Sequence, residues 1–368
     1  MKNKRILIFL GHPAQFHFFK HAIRIWENHG HKVLVLIRTK DILEPLLLKE
    51  GLNYVNIEKK RLKKKTKWDL FVLASHHFIR ILFFLIKFRP NLIIGLHVIL
   101  AQLSFFSPIK FIAVLEDDYH IVKRLSDIVM PLSDTILAPT VCDYSKWEYK
   151  KISFEGYMKL AYLHPNWFVP NFDIIKPIIK NKKYIIIRLV SLTAYHDEGI
   201  KGISTSVLEN IIKKLTEREY EIFISSENII LEKYRSMQLQ APIELIHHIM
   251  AYASMVICDS QSMSVEASML GVPNIRFSDF AGKISVLEEL EHTYGLTYGI
   301  KTNNPQALYN KIDELLMMPN LKDEFQTRRR RMLADKIDVT AFFAWFIENY
   351  PESKKIMKEN PDYQYRFK

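Results

Sequence analysis

The 368-residue chain is 48% apolar, 25% charged and 12% aromatic, which excludes a disordered or fibrous protein and leaves length for two domains. Its net charge of +12 is unevenly placed: residues 1–180 carry 28 Lys+Arg against 15 Asp+Glu, and the rest carry 24 against 25, so an anionic partner is expected for the first half. Only 11 glycines argue against a long Gly-rich phosphate loop, and two distant cysteines, Cys142 and Cys258, exclude a disulfide scaffold or a cysteine metal site and suit a reduced cytoplasmic protein.

The apolar run Ile6–Leu10 is too short for a signal peptide and reads as the end of a first buried strand, Arg5–Leu10. A helix over Gln15–His29, a strand over Lys32–Ile37, a helix over Ile42–Glu50 and a strand over Asn53–Ile57 follow, with Gly30 and Gly51 as stops. Lys59–Lys67 then places seven positive charges in nine residues, directly before an apolar helix expected over Trp68–Phe88. Such a pair suits an anionic membrane surface, and equally a core helix after a solvated loop. No uncharged run reaches the length of a membrane span. Asn91–Gly95, Ile109–Leu115 and Thr135–Ala138 read as further strands, completing an alternation that indicates a parallel sheet covered by helices.

Residues 163–182, with Pro165, Pro170 and Pro177, break the periodicity. The alternation restarts with a strand at Lys183–Arg188, a helix at Ser204–Thr216, a strand at Tyr220–Ser225 and a helix at His247–Ala253. Then comes the most informative stretch: a strand Met255–Cys258, a turn Asp259–Ser262, a helix Met263–Leu270, a Gly-Val-Pro stop and a strand from Asn274. A helix opening just after a strand aims bare N–H groups and a positive dipole end at an anion. Glu266, one turn beyond Ser262, is placed to hold ribose hydroxyls; the plainer reading is an ordinary capped crossover helix. A helix follows around Asn304–Met317, and a tail helix is expected over Arg328–Tyr350. The run Arg328–Arg331 reads as a solvated face, since no nucleic-acid-binding module accompanies it.

Several residues sit where parallel sheets bind ligands, at strand carboxyl ends. His12 and His17 follow the first strand and either contact substrate or pack the first helix. Glu116-Asp117-Asp118 follows the strand Ile109–Leu115; Glu116 or Asp117 acts as a base or binds hydroxyls, or the acids cap the next helix. Arg188 is suited to a diphosphate, with Ser191, Thr193 and His196 in the same loop. His247 and His248 lie either near the nucleotide base or at the surface. No metal site is expected.

These features together resemble the α/β GT-B architecture, two Rossmann-like parallel-sheet domains facing a central cleft, shared by nucleotide-sugar glycosyltransferases and UDP-N-acetylglucosamine 2-epimerases. Asp259-Ser-Gln-Ser-Met-Ser-Val-Glu-Ala-Ser-Met-Leu-Gly-Val-Pro273 is similar to the epimerase segment with Asp-Ser-Gly-Gly, Glu-Glu and Leu-Gly-Val-Pro, with Gln261-Ser262 in place of the Gly pair and Val265 in place of one Glu. Those departures bear on epimerase chemistry more than on nucleotide binding. Pro13-Ala-Gln-Phe-His-Phe-Phe19, Arg188 and the Glu266 helix resemble a bacterial and archaeal family numbered 354 among domains of unknown function.

The resemblance implies an acceptor domain over 1–165, a linker over 166–182, a nucleotide-sugar domain over 183–330, and a helical tail over 331–368 packing back on the first domain. It implies a glycosyltransferase moving a sugar from a nucleotide-sugar, UDP-linked and with no other cofactor, to a glycan or lipid-linked acceptor in surface polysaccharide synthesis. Arg188, Ser262, the Met263 and Ser264 backbone and Glu266 hold the donor, His12 contacts substrate, and His17, Asp117 or Glu116 serves as base. The location expected is the cytoplasm, at the inner face of the membrane. A non-hydrolysing UDP-sugar 2-epimerase is the alternative; a non-enzymatic anion- or nucleic-acid-binding protein is a third.

Overall fold

A computed structural model describes residues 3–38, 42–58, 67–180, 183–190, 201–226 and 232–368, with side chains from residue 75 onward in the helix beginning at Lys67. The basic run over 59–66 and Ser191, Thr193 and His196 lie outside the described residues. The chain divides into two compact units, one of Met1–Tyr162 with Ile337–Lys368, the other of Leu163–Lys336.

The first unit runs β1 (Arg5–Leu10), α1 (Pro13–Asn28), β2 (Lys32–Arg38), α2 (Leu43–Glu50), β3 (Tyr54–Glu58), α3 (Lys67–Phe88), β4 (Leu92–Ile94), α4 (Val98–Phe105), β5 (Lys110–Val114), α5 (Lys123–Val129), β6 (Thr135–Pro139) and β7 (Lys151–Phe154). The seven strands are parallel, in the order β3-β2-β1-β4-β5-β6-β7. The central strands are buried on both faces, which is why they read as unbroken Ile/Leu/Val runs rather than as alternation.

A short helix, α6 (Leu160–Leu163), stands at the junction, and α7 (Lys176–Ile179) follows. The expected linker therefore belongs to the second unit. Ile175 and Ile179 are buried, Asn171 donates its N–H to His248 Nδ1 (3.0 Å), and Tyr252 donates its hydroxyl to the Pro170 carbonyl (3.2 Å). Prolines here shape a packed segment, so broken periodicity does not mark a free linker.

The second unit continues through β8 (Tyr184–Leu189), α8 (Thr205–Thr216), β9 (Glu221–Ser226), α9 (Ile246–Ala251), β10 (Met255–Cys258), α10 (Gln261–Leu270), β11 (Asn274–Phe277), α11 (Ser285–His292), β12 (Tyr298–Ile300), α12 (Pro305–Met317) and α13 (Leu321–Asp335). Its five parallel strands are ordered β12-β11-β10-β8-β9.

The tail helix expected over Arg328–Tyr350 is two helices, α13 and α14 (Val339–Glu348), followed by α15 (Glu352–Glu359). The break arises because Ile337 donates its N–H to the Glu155 carbonyl (2.8 Å) and Asp338 caps α14 through the Ala341 N–H (3.0 Å). The segment after the break packs on the first unit. Phe343 meets Phe18 edge to face at 4.7 Å, and Trp26 donates to the Ala344 carbonyl (3.3 Å). Each such buried aromatic contributes about 1.5–3 kcal/mol.

The Arg328–Arg331 run is not simply a solvated face. Arg328 donates to the Gly295 carbonyl (2.7 Å), and Arg329 and Gln326 donate to the Met269 and Leu270 carbonyls (2.5 and 2.8 Å). Arg329 and Gln326 thus cap the last carbonyls of α10, beside Gly271 in its left-handed conformation (φ +67).

Candidate functional site

In the second unit the chain leaves β8 in one direction to β9 and in the other to β10, β11 and β12, so the strand order reverses between β8 and β10. Open parallel sheets bind ligands outside the carboxyl ends of the strands at such a reversal. Arg188 and Asp259 stand there, their backbones joined by the Asp259 N–H donating to the Arg188 carbonyl (3.3 Å).

Asp259, a residue sequence reasoning passed over, organises this end of the sheet. Its carboxylate accepts the Val190 N–H (2.8 Å) and the Ile203 N–H (3.2 Å). Gly202 is required beside it, because a Cβ there would fall 2.5 Å from Asp259 Oδ2. Burial pushes the Asp259 carboxyl up to about 6 against the pull of those N–H groups. The signal available in sequence was its place as the first polar residue after a buried strand.

Helix α10 begins at Gln261, two residues earlier than expected, with Ser260 as its cap. Ser260 Oγ accepts the Met263 N–H (3.3 Å), and the Ser260 carbonyl accepts the Ser264 N–H (3.3 Å). The two backbone groups expected to hold a diphosphate are thus bonded within the helix start, and the turn presents the Gln261 and Ser262 N–H groups ahead of them. Ser262 is exposed; Met263 and Ser264 are buried. Ser264 donates to Asn274 Oδ1 (2.7 Å) and lies 2.9 Å from Thr297 Oγ1, so its hydroxyl ties α10 to the strands beneath.

Glu266, one turn into α10, is nearly buried, and its Oε1 lies 3.3 Å from His247 Nε2. His247 packs edge-on against Phe168, and His248 stacks closer on the same ring (4.6 Å). His247 therefore stands beside the carboxylate of the candidate site, and neither histidine is a bare surface residue. Arg188 turns toward β9, donating through Nη1 to Ser225 Oγ (2.9 Å).

In the first unit the strand order reverses between β1 and β4. Gly95, with φ +136, directly follows β4, where a Cβ would come 2.9 Å from the Phe9 carbonyl oxygen. His12 caps α1, accepting the Ala14 N–H through Nδ1 (3.1 Å), and His97 caps α4, accepting the Leu100 N–H through Nδ1 (3.4 Å). An accepting Nδ1 puts the proton of a neutral imidazole on Nε2, so both rings present donors rather than bases. Burial, with Arg38 and His77 adding to it, lowers His97 to about 4, and its ring lies on Phe9 at 4.2 Å. His97 was not anticipated. His17, on α1, lies against Phe16 and Tyr162 at 5.1 and 5.2 Å.

The three acids after β5 separate. Glu116 accepts the Met158 N–H (2.5 Å) and pairs with Lys159, both side chains nearly buried. Asp118 is fully buried and accepts the Asp143 N–H (2.9 Å). Asp117 is exposed. None caps α5, whose N-cap is Val122.

Two Rossmann-like parallel sheets, each with polar groups at its reversal point, define an α/β fold of the GT-B type. The chain belongs to the family described as "Protein of unknown function (DUF354)", whose profile matches residues 5–306. It is similar in fold to a UDP-GlcNAc 2-epimerase from Neisseria meningitidis bound to UDP-GlcNAc, at 13% identity and TM-score 0.65, covering 94% of this chain and 100% of that one. A UDP-GlcNAc 2-epimerase from Methanocaldococcus jannaschii matches at 14% identity and TM-score 0.62, over 90% and 99%. The spinosyn rhamnosyltransferase SpnG, complexed with spinosyn aglycone, matches at 12% identity and TM-score 0.62, over 94% and 100%. No curated protein matches the chain in sequence.

Proposed function

We propose that this protein is a glycosyltransferase that moves a sugar from a nucleotide-sugar, UDP-linked, to a glycan or lipid-linked acceptor in surface polysaccharide synthesis. The observation that carries the reading is the start of α10 at the sheet reversal, with Glu266 one turn beyond it. In this reading the Gln261 and Ser262 N–H groups and Arg188 hold the diphosphate, and Glu266 holds the ribose. The first unit binds the acceptor, with His12 and His97 donating hydrogen bonds and His17 or Asp117 as base. Glu116, with both oxygens engaged, holds the 158–159 segment instead. The base takes the proton of an acceptor hydroxyl, that oxygen attacks the anomeric carbon, and the bond to the diphosphate breaks. The charge left on the nucleotide is stabilised by the helix N-terminus.

The acceptor's lipid character is supported by α3. Phe78, Ile79, Phe83 and Ile86 are exposed on it, beside exposed Lys87. Among the described residues no helix is long and apolar enough to cross a membrane. An exposed apolar stripe edged by basic charge suits peripheral attachment to an anionic surface, at the inner face of the cytoplasmic membrane in this proposal.

Incubation of the purified protein with UDP-, GDP-, CMP- and TDP-sugars, without acceptor, tests the reading by binding and by NMR of the sugar. Binding of one nucleotide-sugar with C2 unchanged is expected. Inversion or solvent deuterium at C2 would establish an epimerase instead, and no binding would end the nucleotide-sugar reading.

A further inference from the structure

Arg276, in β11, is among the largest fully buried side chains of the protein. Its Nη1 donates to Gln261 Oε1 at 3.0 Å. Its Nη2 stands 3.7 Å from Glu288 Oε1, too far for a hydrogen bond, and among the described residues neither Nε nor Nη2 has a hydrogen-bond partner. A buried guanidinium with two of its three nitrogens unbonded is costly, and its retention calls for a reason. Its seat is built for it: a Cβ at Gly299 would fall 2.7 Å from Nη2. Its charge is balanced from α11, where Glu288 and Glu291 spend their own bonds on the Gly282 and Gly299 N–H groups (3.0 and 2.8 Å).

Among the described residues, the one side chain Arg276 firmly bonds is Gln261, the first residue of α10. Gln261 Nε2 donates in turn to Ser278 Oγ (3.1 Å), itself fully buried, and more weakly to the Asp259 carbonyl (3.4 Å). Both ends of the amide are therefore fastened to groups beneath the turn. In the epimerase segment that this turn resembles, the position holds glycine, which has nothing to fasten.

We propose that Arg276 is a positioning residue for the turn that opens α10. It draws the long Gln261 side chain down into the sheet edge and keeps it off the first N–H groups of the helix. The turn then admits a phosphate at a position where another chain uses a glycine. This rests on the nucleotide-sugar reading above and adds to it the device that clears the phosphate's place. The arginine touches no ligand; its effect passes through Gln261.

The test uses the full chain, by calorimetry, with UDP, GDP, TDP and CMP and their nucleosides as probes. Arg276→Met frees Gln261 and is expected to weaken the bound nucleotide about tenfold, while the nucleoside, lacking phosphate, binds as before. Adding Gln261→Gly to Arg276→Met is expected to recover most of that loss, because no side chain remains to swing over the turn. A general loss of packing would not be relieved in this phosphate-specific way. Should Arg276→Met fail to fold, Gln261→Met carries the test at a half-buried position: it keeps the length, cannot accept from Arg276, and is expected to show the same phosphate-specific loss. Unchanged nucleotide binding in the variant that folds, or a double variant as weak as Arg276→Met, overturns the proposal and leaves the nucleotide reading standing. A wild-type protein that binds none of the four nucleotides overturns both.

Discussion

His247 Nε2 and Glu266 Oε1 lie 3.3 Å apart, joining α9 to α10 with both side chains almost out of solvent. The contact fixes where the Glu266 carboxylate points, and it does so from the helix that precedes β10. In the proposed reading this carboxylate accepts a ligand hydroxyl, and hydrogen bonds to charged groups contribute about 1.5–3 kcal/mol. Glu266→Gln is therefore expected to weaken nucleotide-sugar binding by roughly ten- to a hundredfold, with a small shift in thermal midpoint. Calorimetry beside a melting curve checks it. An unchanged affinity with a lowered midpoint would make Glu266 a structural partner of His247 only.

Glu116 and Asp117 adjoin in sequence but differ in surroundings, and the difference separates a structural acid from a candidate base. Glu116→Gln removes the charge that faces nearly buried Lys159 and is expected to cost about 3–5 kcal/mol of stability. Asp117→Asn, at an exposed position, is expected to change stability by no more than about 0.5 kcal/mol while lowering transfer activity at least a hundredfold if Asp117 is the base. Denaturant titration and a transfer assay on both variants decide it. Full activity in Asp117→Asn leaves His17 as the base.

Much of the fold is legible in the sequence, for physical reasons that also mark where reading stops. β1, β5, β6 and β10 are buried on both faces and show as unbroken apolar runs. β12 is a three-residue edge strand with Gly299 at its centre, and β7 an edge strand of half-buried alternation; neither has enough pattern to be seen. The start of α10 is misread by two residues because its polar first turn looks like loop until Ser260 is seen to cap Met263. Of the site residues, Glu266 is legible from helical spacing. Asp259, His97 and Arg276 are not, because their roles come from bonds to backbone or side chains distant in the chain. Arg276 in particular sits inside an apolar strand, where a lone arginine gives no hint of what it holds.

The exposed stripe on α3 predicts membrane attachment. Replacing Phe83 and Ile86, both more than half exposed, with serine removes apolar area without touching the core. The double variant is expected to keep its melting temperature and to lose at least tenfold in cosedimentation with vesicles containing phosphatidylserine, with little binding to neutral vesicles by either protein. Equal sedimentation of both proteins would dismiss α3 as the contact.

His97 predicts how the first unit responds to acid. Burial lowers its folded value to about 4, whereas the unfolded chain titrates near 6.5. Between those values the unfolded state holds more protons, so stability rises with pH across the window; it is complete above about 6.5 and lost progressively toward pH 4. The span corresponds to about 3 kcal/mol. His21, also lowered to about 4, adds a drift of the same sign, and Asp259, raised to about 6, one of opposite sign; both remain when position 97 is changed. His97→Asn retains an oxygen able to accept the Leu100 N–H and removes the titration. Urea unfolding at pH 7 and pH 4.5 should show a smaller loss of stability on acidification in the variant than in the wild type. Identical losses in the two proteins would mean that His97 keeps its ordinary affinity for protons in the folded chain, and the donor role given to its Nε2 would fall with it.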